Sequence, residues 1–343
     1  MDILIADSMG AGAAIGTQLA ATGNSVTYLD GPSRAFALDF APLKVVSALG
    51  RVESYAHHLE AVEVRRPFEL VIVSVEAHSL SRMVTDLPYA IDQATTVLVL
   101  SPGLEYVDAI REACHGAVVL DGQHNVGAFF DDGGVVRHLG NGGRILIGAR
   151  TPHEKLQAEP IVACLSGTGV SPRIVPDARH CRWESTLRFV SACGLAALLQ
   201  CPLEHLGEAE TGDGTTLWAL LQECADVASA NGFPVNVGGL ASFVERLPVL
   251  AHGALTAMGR RIERGEIDEI VELSAQMQRA ARAASVATPT LDVVVTALMA
   301  RKAAMVAGPR PSEADFGGRT APLYRRAVRL GSAWAQRKSG DGR

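Results

Sequence analysis

The sequence predicts an α/β chain: a doubly wound parallel sheet first, then an all-α half. Three observations carry this. Short β-rich runs alternate with helical stretches over the first 150 residues, Phe68-Glu-Leu-Val-Ile-Val-Ser-Val75 is almost continuously apolar, and helical periodicity takes over from about residue 180. A continuous apolar run suits a parallel strand covered on both faces. The 343 residues are enough for two domains. The predicted layout is a dinucleotide-type domain over residues 1–178, a helical domain over 179–307 and a tail over 308–343.

In order, Asp2 to Asp7 reads as a strand, and Gly12 to Thr22 as a helix stopped by Gly23, a residue suited to a C-terminal cap. Further strands are expected at Ser25 to Asp30, Phe68 to Val75, Thr95 to Leu100 and Gly116 to Leu120. Val135 to His138 and Arg144 to Ile147 read as a closing hairpin around Gly140-Asn-Gly-Gly143. Helical patterns cover Trp183 to Gln200, Thr215 to Ala230, Leu240 to Arg264, Ile267 to Ala284 and Leu291 to Ala307. Gly308-Pro-Arg-Pro311 breaks the last one.

Composition narrows the function. A net charge of −6 and 5% aromatic residues argue against nucleic-acid binding, which uses a basic surface and stacking platforms. No apolar run approaches a membrane span, and no basic, cleavable leader opens the chain. Six cysteines without a CxxC pair, and histidines without ligand spacing, suggest free thiols in a reducing cytoplasm and no metal site. The expected partner is a small molecule. A homodimer is an expectation by analogy with the fold alone.

A strand, a glycine-rich turn and a helix within 16 residues point to a dinucleotide. Backbone amides and the positive helix end would approach its pyrophosphate at Ser8, Met9, Gly10, Ala11 and Gly12. The spacing departs from GxGxxG, since Gly10-Ala-Gly12-Ala-Ala-Ile-Gly16 is GxGxxxG. Counting back from Gly23 puts the three fingerprint positions on Asp7, Met9 and Gly12, so only the glycine for helix–strand packing survives. A carboxylate at Asp7 about 5 Å from a pyrophosphate charge would cost roughly 3 kcal/mol at an effective dielectric of 20. Asp30, ending the second strand, is placed to hold a ribose hydroxyl, which favours NADH, while Arg34 would suit the 2′-phosphate of NADPH. A scaffold without a nucleotide is the alternative.

Several segments, in order, resemble the ketopantoate reductase (2-dehydropantoate 2-reductase) family. They are Ile3-Leu-Ile with Leu19-Ala-Ala-Thr-Gly23; Phe68 to Ala77, where the family strand ends in "VKA"; and Leu100-Ser-Pro-Gly103-Leu, in place of "QNGL". Gly134-Val-Val-Arg-His138 through Gly148 matches "GVVxHxGxGxxxIG". Trp183, Met258 to Ile270 and Pro289 complete the series. The resemblance implies a Rossmann domain followed by an all-α domain, in a 6-phosphogluconate dehydrogenase-like arrangement. It also implies NADPH-dependent reduction of a 2-keto acid in the cleft. Residue by residue, the family's catalytic lysine is Ser185 here and its asparagines are Phe189 and Cys193. The "VKA" lysine is Glu76, the "QNG" asparagine is Pro102, and the late serine and aspartate are Ala257 and Arg261. Only the late glutamate survives, as Glu269.

Read as chemistry, these exchanges predict a pocket that is more negative and more apolar, closed to ketopantoate. A ketone, imine or iminium of secondary metabolism would fit it. The candidate catalytic residues are Glu76, His124, Ser185 and Glu269. Glu76, and His124 with Asn125, follow strands at the carboxyl edge of the sheet. His124 is the histidine placed where a proton donor would be useful. Arg188, one turn beyond Ser185, is a candidate replacement cation, and it joins Phe189 and Cys193 as candidate substrate contacts. Gly103 joins the expected cofactor contacts. Two rival readings keep the fold without redox chemistry. One is a cyclisation or dehydration catalyst using Glu76 and Glu269 as acid and base, and the other is a non-catalytic binding protein.

Overall fold

In the computed structural model the described residues are 1–6, 10–29, 42–48, 50–55, 57–59, 63–64, 66–76, 79–131, 133–140, 142–206, 215–247 and 254–307. Residues 1–299 gather into one compact unit. Residues 300–343 form a second, described only for 300–307, the end of the last helix.

The alternating first half builds β1 (Asp2–Ala6), α1 (Ala11–Ala21), β2 (Ser25–Leu29), β3 (Leu43–Ser47), β4 (Gly50–Ser54), β5 (His57–Leu59) and β6 (Leu70–Val73). It continues with α2 (Leu80–Asp86), β7 (Thr96–Val99), α3 (Tyr106–Ala113), β8 (Val118–His124), β9 (Gly127–Phe130), β10 (Val136–Leu139), β11 (Gly143–Gly148), α4 (Pro152–Ser166) and β12 (Val170–Val175). Eight strands form one sheet in the order β12-β11-β8-β7-β6-β1-β2-β5. From β5 to β8 all neighbours are parallel, β11 runs antiparallel to β8, and β12 runs parallel to β11. Strands β1 and β6, central and buried on both faces, explain the unbroken apolar runs.

One face of the sheet packs Ile15 and Leu19 of α1 and Ile161 and Leu165 of α4. The other packs Met83 of α2 and Ile110 of α3. Helix α1 lies close to the sheet because Gly16 has no side chain: a Cβ there would stand 2.6 Å from the Tyr28 hydroxyl and 2.9 Å from Ile5 Cγ1. Gly16, outside the three positions counted from the fingerprint, is thus a close-packing glycine of this helix. A four-stranded sheet, β4-β3-β10-β9, shares the core around α1 through Leu43, Val45, Ala128 and Val136.

The predicted hairpin does not form. β10 pairs with β9 and β3 in the small sheet, whereas β11 pairs with β8 and β12 in the large one. The glycines between them serve a crossing between sheets. Gly142 has φ of +107°, and a Cβ there would collide with the Gly169 carbonyl oxygen. Glycine signals a backbone position that a side chain cannot occupy, and a hairpin turn is only one such case.

The second half contains α5 (Arg179–Arg188), a π-helical turn (Phe189–Cys193), α6 (Gly194–Leu199), α7 (Thr215–Ala230), α8 (Val237–Arg246), α9 (Ala254–Glu263), α10 (Asp268–Ala283) and α11 (Pro289–Ala307). The expected helix from Leu240 to Arg264 is thus two helices, and the one expected from Trp183 begins at Arg179. Leu187, Val190, Leu220, Leu221, Leu273 and Leu291 are among the fully buried residues of one helical core. Among the described residues no helix is long and apolar enough to cross a membrane, and no cluster of His, Cys, Asp or Glu is arranged to hold a metal ion. All six cysteines are free thiols.

Candidate active site

At the carboxyl edge of the large sheet, the segments after β6, β7 and β8 open into a cavity of about 650 Å³, measured with its mouth. Its floor carries Val75 and Glu76 after β6, Pro102 after β7, and Gln123 and His124 at the end of β8. The first residue of α1, Ala11, forms one wall. Phe189 of the π-turn, Met258 and Arg261 of α9, and Glu269 of α10 close it from the helical side. Chain continuing from β1 passes to β2 on one side, while β6 lies on the other. The cavity therefore sits at the topological switch point where ligands bind in such sheets.

The sequence places Glu76 here, but not its partner. Arg261 Nη1 lies 2.8 Å from Glu76 Oε1, and Nη2 donates to Oε2 at 2.9 Å, a two-pronged pair between the sheet edge and α9. Arg261 Nε donates to Glu266 at 2.9 Å. Burial opposes its charge, but Glu76, Glu266 and Glu269 together hold the guanidinium more firmly protonated than usual. The expected change from a positive to a negative lining is thus only partly right, because Arg261 brings a cation into the lining. The backbone just before Glu76 is tied to the segment after β7 by Ser101, whose hydroxyl accepts from the Val75 amide at 2.8 Å.

His124 lines the cavity yet is unsuited to the expected proton donation. Its Nδ1 accepts from the Val126 amide at 3.1 Å, which puts the ring proton on Nε2. Burial, reinforced by the charge of Arg182, pushes its pKa down to about 4. At neutral pH it is an uncharged imidazole. Asn125 points elsewhere, its Oδ1 accepting from the Arg144 amide at 2.6 Å in the β8–β11 ladder.

Ser185 is not a wall of the cavity. It reaches the site through Gln123, whose Nε2 donates to Ser185 Oγ at 2.9 Å. Phe189 is a wall, presented by the π-turn; such turns often mark functional positions in helices. Cys193, four residues on, is buried in the helical core, where desolvation pushes its thiol far up. Nor does Arg188 supply the cation, because it pairs with Glu184 at 2.6 Å and lies over the Phe243 ring at 5.5 Å. Glu269 is a wall of the site and only 1% exposed.

Gly103 belongs to the scaffold. Its carbonyl accepts from Arg182 at 3.1 Å, and the next amide, Leu104, donates to Gln276 of α10 at 2.8 Å. Sequence reasoning missed Arg182. It lies 2.5 Å from Asp121 and donates to the carbonyls of Ser101, Gly103, Val99 and Gly122, all at the sheet edge. These partners lie 60 to 83 positions away, beyond any local motif.

The proposed cofactor residues Ser8, Met9, Asp30 and Arg34, with Asp7, lie outside the described residues. What is described fits a dinucleotide. Helix α1 has no side-chain cap at Gly10 and no acid in its first turn, and its first residue, Ala11, lies on the cavity wall. A side chain at Gly10 would meet the Ala128 carbonyl at 2.6 Å, so the backbone there stays bare.

Comparison with known proteins agrees with this architecture. The description "Ketopantoate reductase PanE/ApbA" matches residues 7–152, and "Ketopantoate reductase PanE/ApbA C terminal" matches residues 177–302. A 2-dehydropantoate 2-reductase of Halobacterium salinarum is 26% identical over 226 residues, 65% of this chain and 72% of that one. Among solved structures, D-mandelate dehydrogenase with NADH and anilino(oxo)acetate superposes with a TM-score of 0.79 at 21% identity, over 88% of this chain and 98% of that one. A 2-dehydropantoate 2-reductase of Geobacter metallireducens gives 0.76 at 25%, over 88% and 100%. With two matches spanning most of its length, in the order of sheet and helices described above, the chain belongs to the ketopantoate reductase family of NAD(P)-dependent oxidoreductases.

Proposed function

We propose that this protein is a nicotinamide-dependent reductase that acts on a C=O or C=N group of a small molecule other than ketopantoate. Family membership and the start of α1 beside the cavity, without an acid in its first turn, support the cofactor. The residues that would hold it are Gly10, Ala11 and Gly12, with Ser8, Met9, Asp30 and Arg34. When bound, a reduced nicotinamide supplies hydride.

The observation that carries the choice of substrate is the occupation of Arg261. Its three nitrogens all donate to carboxylates: both Nη atoms to Glu76, and Nε to Glu266. A substrate carboxylate would have to displace Glu76 and then lie beside it and Glu269. At about 5 Å and an effective dielectric of 20, each such repulsion costs about 3 kcal/mol. A neutral or cationic substrate meets no such penalty. Phe189 and Met258 add an apolar wall, which suits a larger, less polar molecule.

Gln123, its amide held by Ser185, supplies a polar part of the wall, and neutral His124 retains an Nε2 proton for hydrogen bonding. The test is a fluorescence titration of the full chain with NADH and NADPH, followed by nicotinamide absorbance with ketopantoate and with neutral and cyclic imine substrates. Micromolar cofactor binding, with turnover of the uncharged or cationic substrates only, is expected. No binding at millimolar cofactor, or efficient turnover of ketopantoate, would overturn the proposal.

A further inference from the structure

We infer that Glu76 is the specificity-determining residue of this cavity and is handed from Arg261 to a positively charged group on the substrate, so that the site takes a protonated imine. The inference rests on the reading above and narrows its substrate to iminium ions.

The argument is an asymmetry in what each partner keeps when the pair opens. Arg261 would retain Glu266, bonded to Nε at 2.9 Å, and the neighbouring charge of Glu269. It is therefore not stranded as a buried, unpaired cation, the usual heavy cost of breaking such a pair. Glu76 would exchange one cation for another within the same cavity. For an incoming anion the exchange runs the other way: Glu76 is evicted and faces both the anion and Glu269. The same two residues also line an adjoining groove beside Gly10, Phe129, Phe130 and Arg264. The ion pair, with Ala128, is thus common to the walls of both.

An iminium also suits the proton inventory. Hydride from a reduced nicotinamide adds to the iminium carbon, and the C=N π pair moves onto nitrogen. The product is an amine that keeps the proton nitrogen already carried, with oxidised nicotinamide as co-product. No protein acid is consumed, in keeping with a cavity whose histidine is neutral at physiological pH.

Calorimetry on the full chain at neutral pH, with and without NADPH, tests this using three probes that share one ring: benzylammonium, benzyl alcohol and benzoate. The expected order is benzylammonium tightest, by about tenfold over the alcohol, with benzoate weakest. Glu76→Gln should bring benzylammonium level with the alcohol, whereas Glu76→Asp should keep the preference for the cation. Benzoate binding tightest, no benzylammonium binding at millimolar concentration, or an undiminished preference in Glu76→Gln would each overturn the inference. Should Glu76→Gln not fold, the wild-type order of the three probes still decides the sign. NADPH binding without cation preference removes this inference alone. Cation preference without NADPH binding removes only the redox reading.

Discussion

Two of the arginine–carboxylate pairs that join the two halves, Arg182–Asp121 and Arg261–Glu76, differ in kind. Arg182–Asp121 beneath α5 is almost fully buried, with side chains 3% and 10% exposed, and Arg182 also donates to four backbone carbonyls. Arg261–Glu76 beside α9 is 17% and 12% exposed, and Arg261 is held by the carboxylates of Glu76 and Glu266. Backbone carbonyls are fixed by the sheet and cannot be traded. Side-chain carboxylates can rotate away and be replaced by a ligand. The first pair therefore reads as a staple, and the second as a contact built to be exchanged.

The comparison breaks first at the staple. Arg182→Met should cost about 3–5 kcal/mol in urea unfolding, because it leaves Asp121 buried without its cation and strips the sheet-edge carbonyls of donors. A loss below about 1 kcal/mol would mean that the two pairs are equivalent. Next comes His124. Its pKa is lowered in the folded state to about 4 from an ordinary 6.5, so the unfolded chain binds the extra proton first. Stability from this group is fully present above pH 6.5 and is lost as pH falls towards 4, by up to about 3 kcal/mol. His124→Gln should flatten that window in pH-dependent denaturation.

Gly16→Ala should cost about 1–3 kcal/mol through the clash with Tyr28, measured by thermal melting, while leaving probe binding at Glu76 unchanged. Arg261→Met should be milder in stability, about 1–2 kcal/mol given its partial exposure, but should raise the affinity for benzylammonium by removing the cation that competes for Glu76. Unchanged affinity would show that the pair does not compete with ligand. The smallest effect belongs far from both pairs. Thr151 caps α4, its hydroxyl accepting from the Glu154 amide at 3.1 Å, and Thr151→Ala should cost about 1 kcal/mol without touching the site.

Where the sequence spoke clearly, the signal was local. The apolar run at Phe68 could only be a strand covered on both faces, and the ordered segments from Ile3 to Pro289 carried the family. Glu76, Phe189 and Glu269 were legible because each stands at a motif position, and all three line the cavity. Cys193 and Arg188 share a helix with Phe189 but not its direction: one faces the helical core and the other Glu184 and Phe243. The glycines around Gly142 misled because their crossing between two sheets is invisible to a hairpin rule.

By itself, then, the sequence determined the α/β order, the helical second half and the family, since periodicity and motif spacing are properties of neighbours along the chain. Tertiary structure alone decided that Glu76 meets Arg261, 185 positions away, and that Arg182 meets Asp121, 61 positions away. Electrostatic pairing depends on distance in space, and only the packing of α5 and α9 against the sheet edge sets those distances.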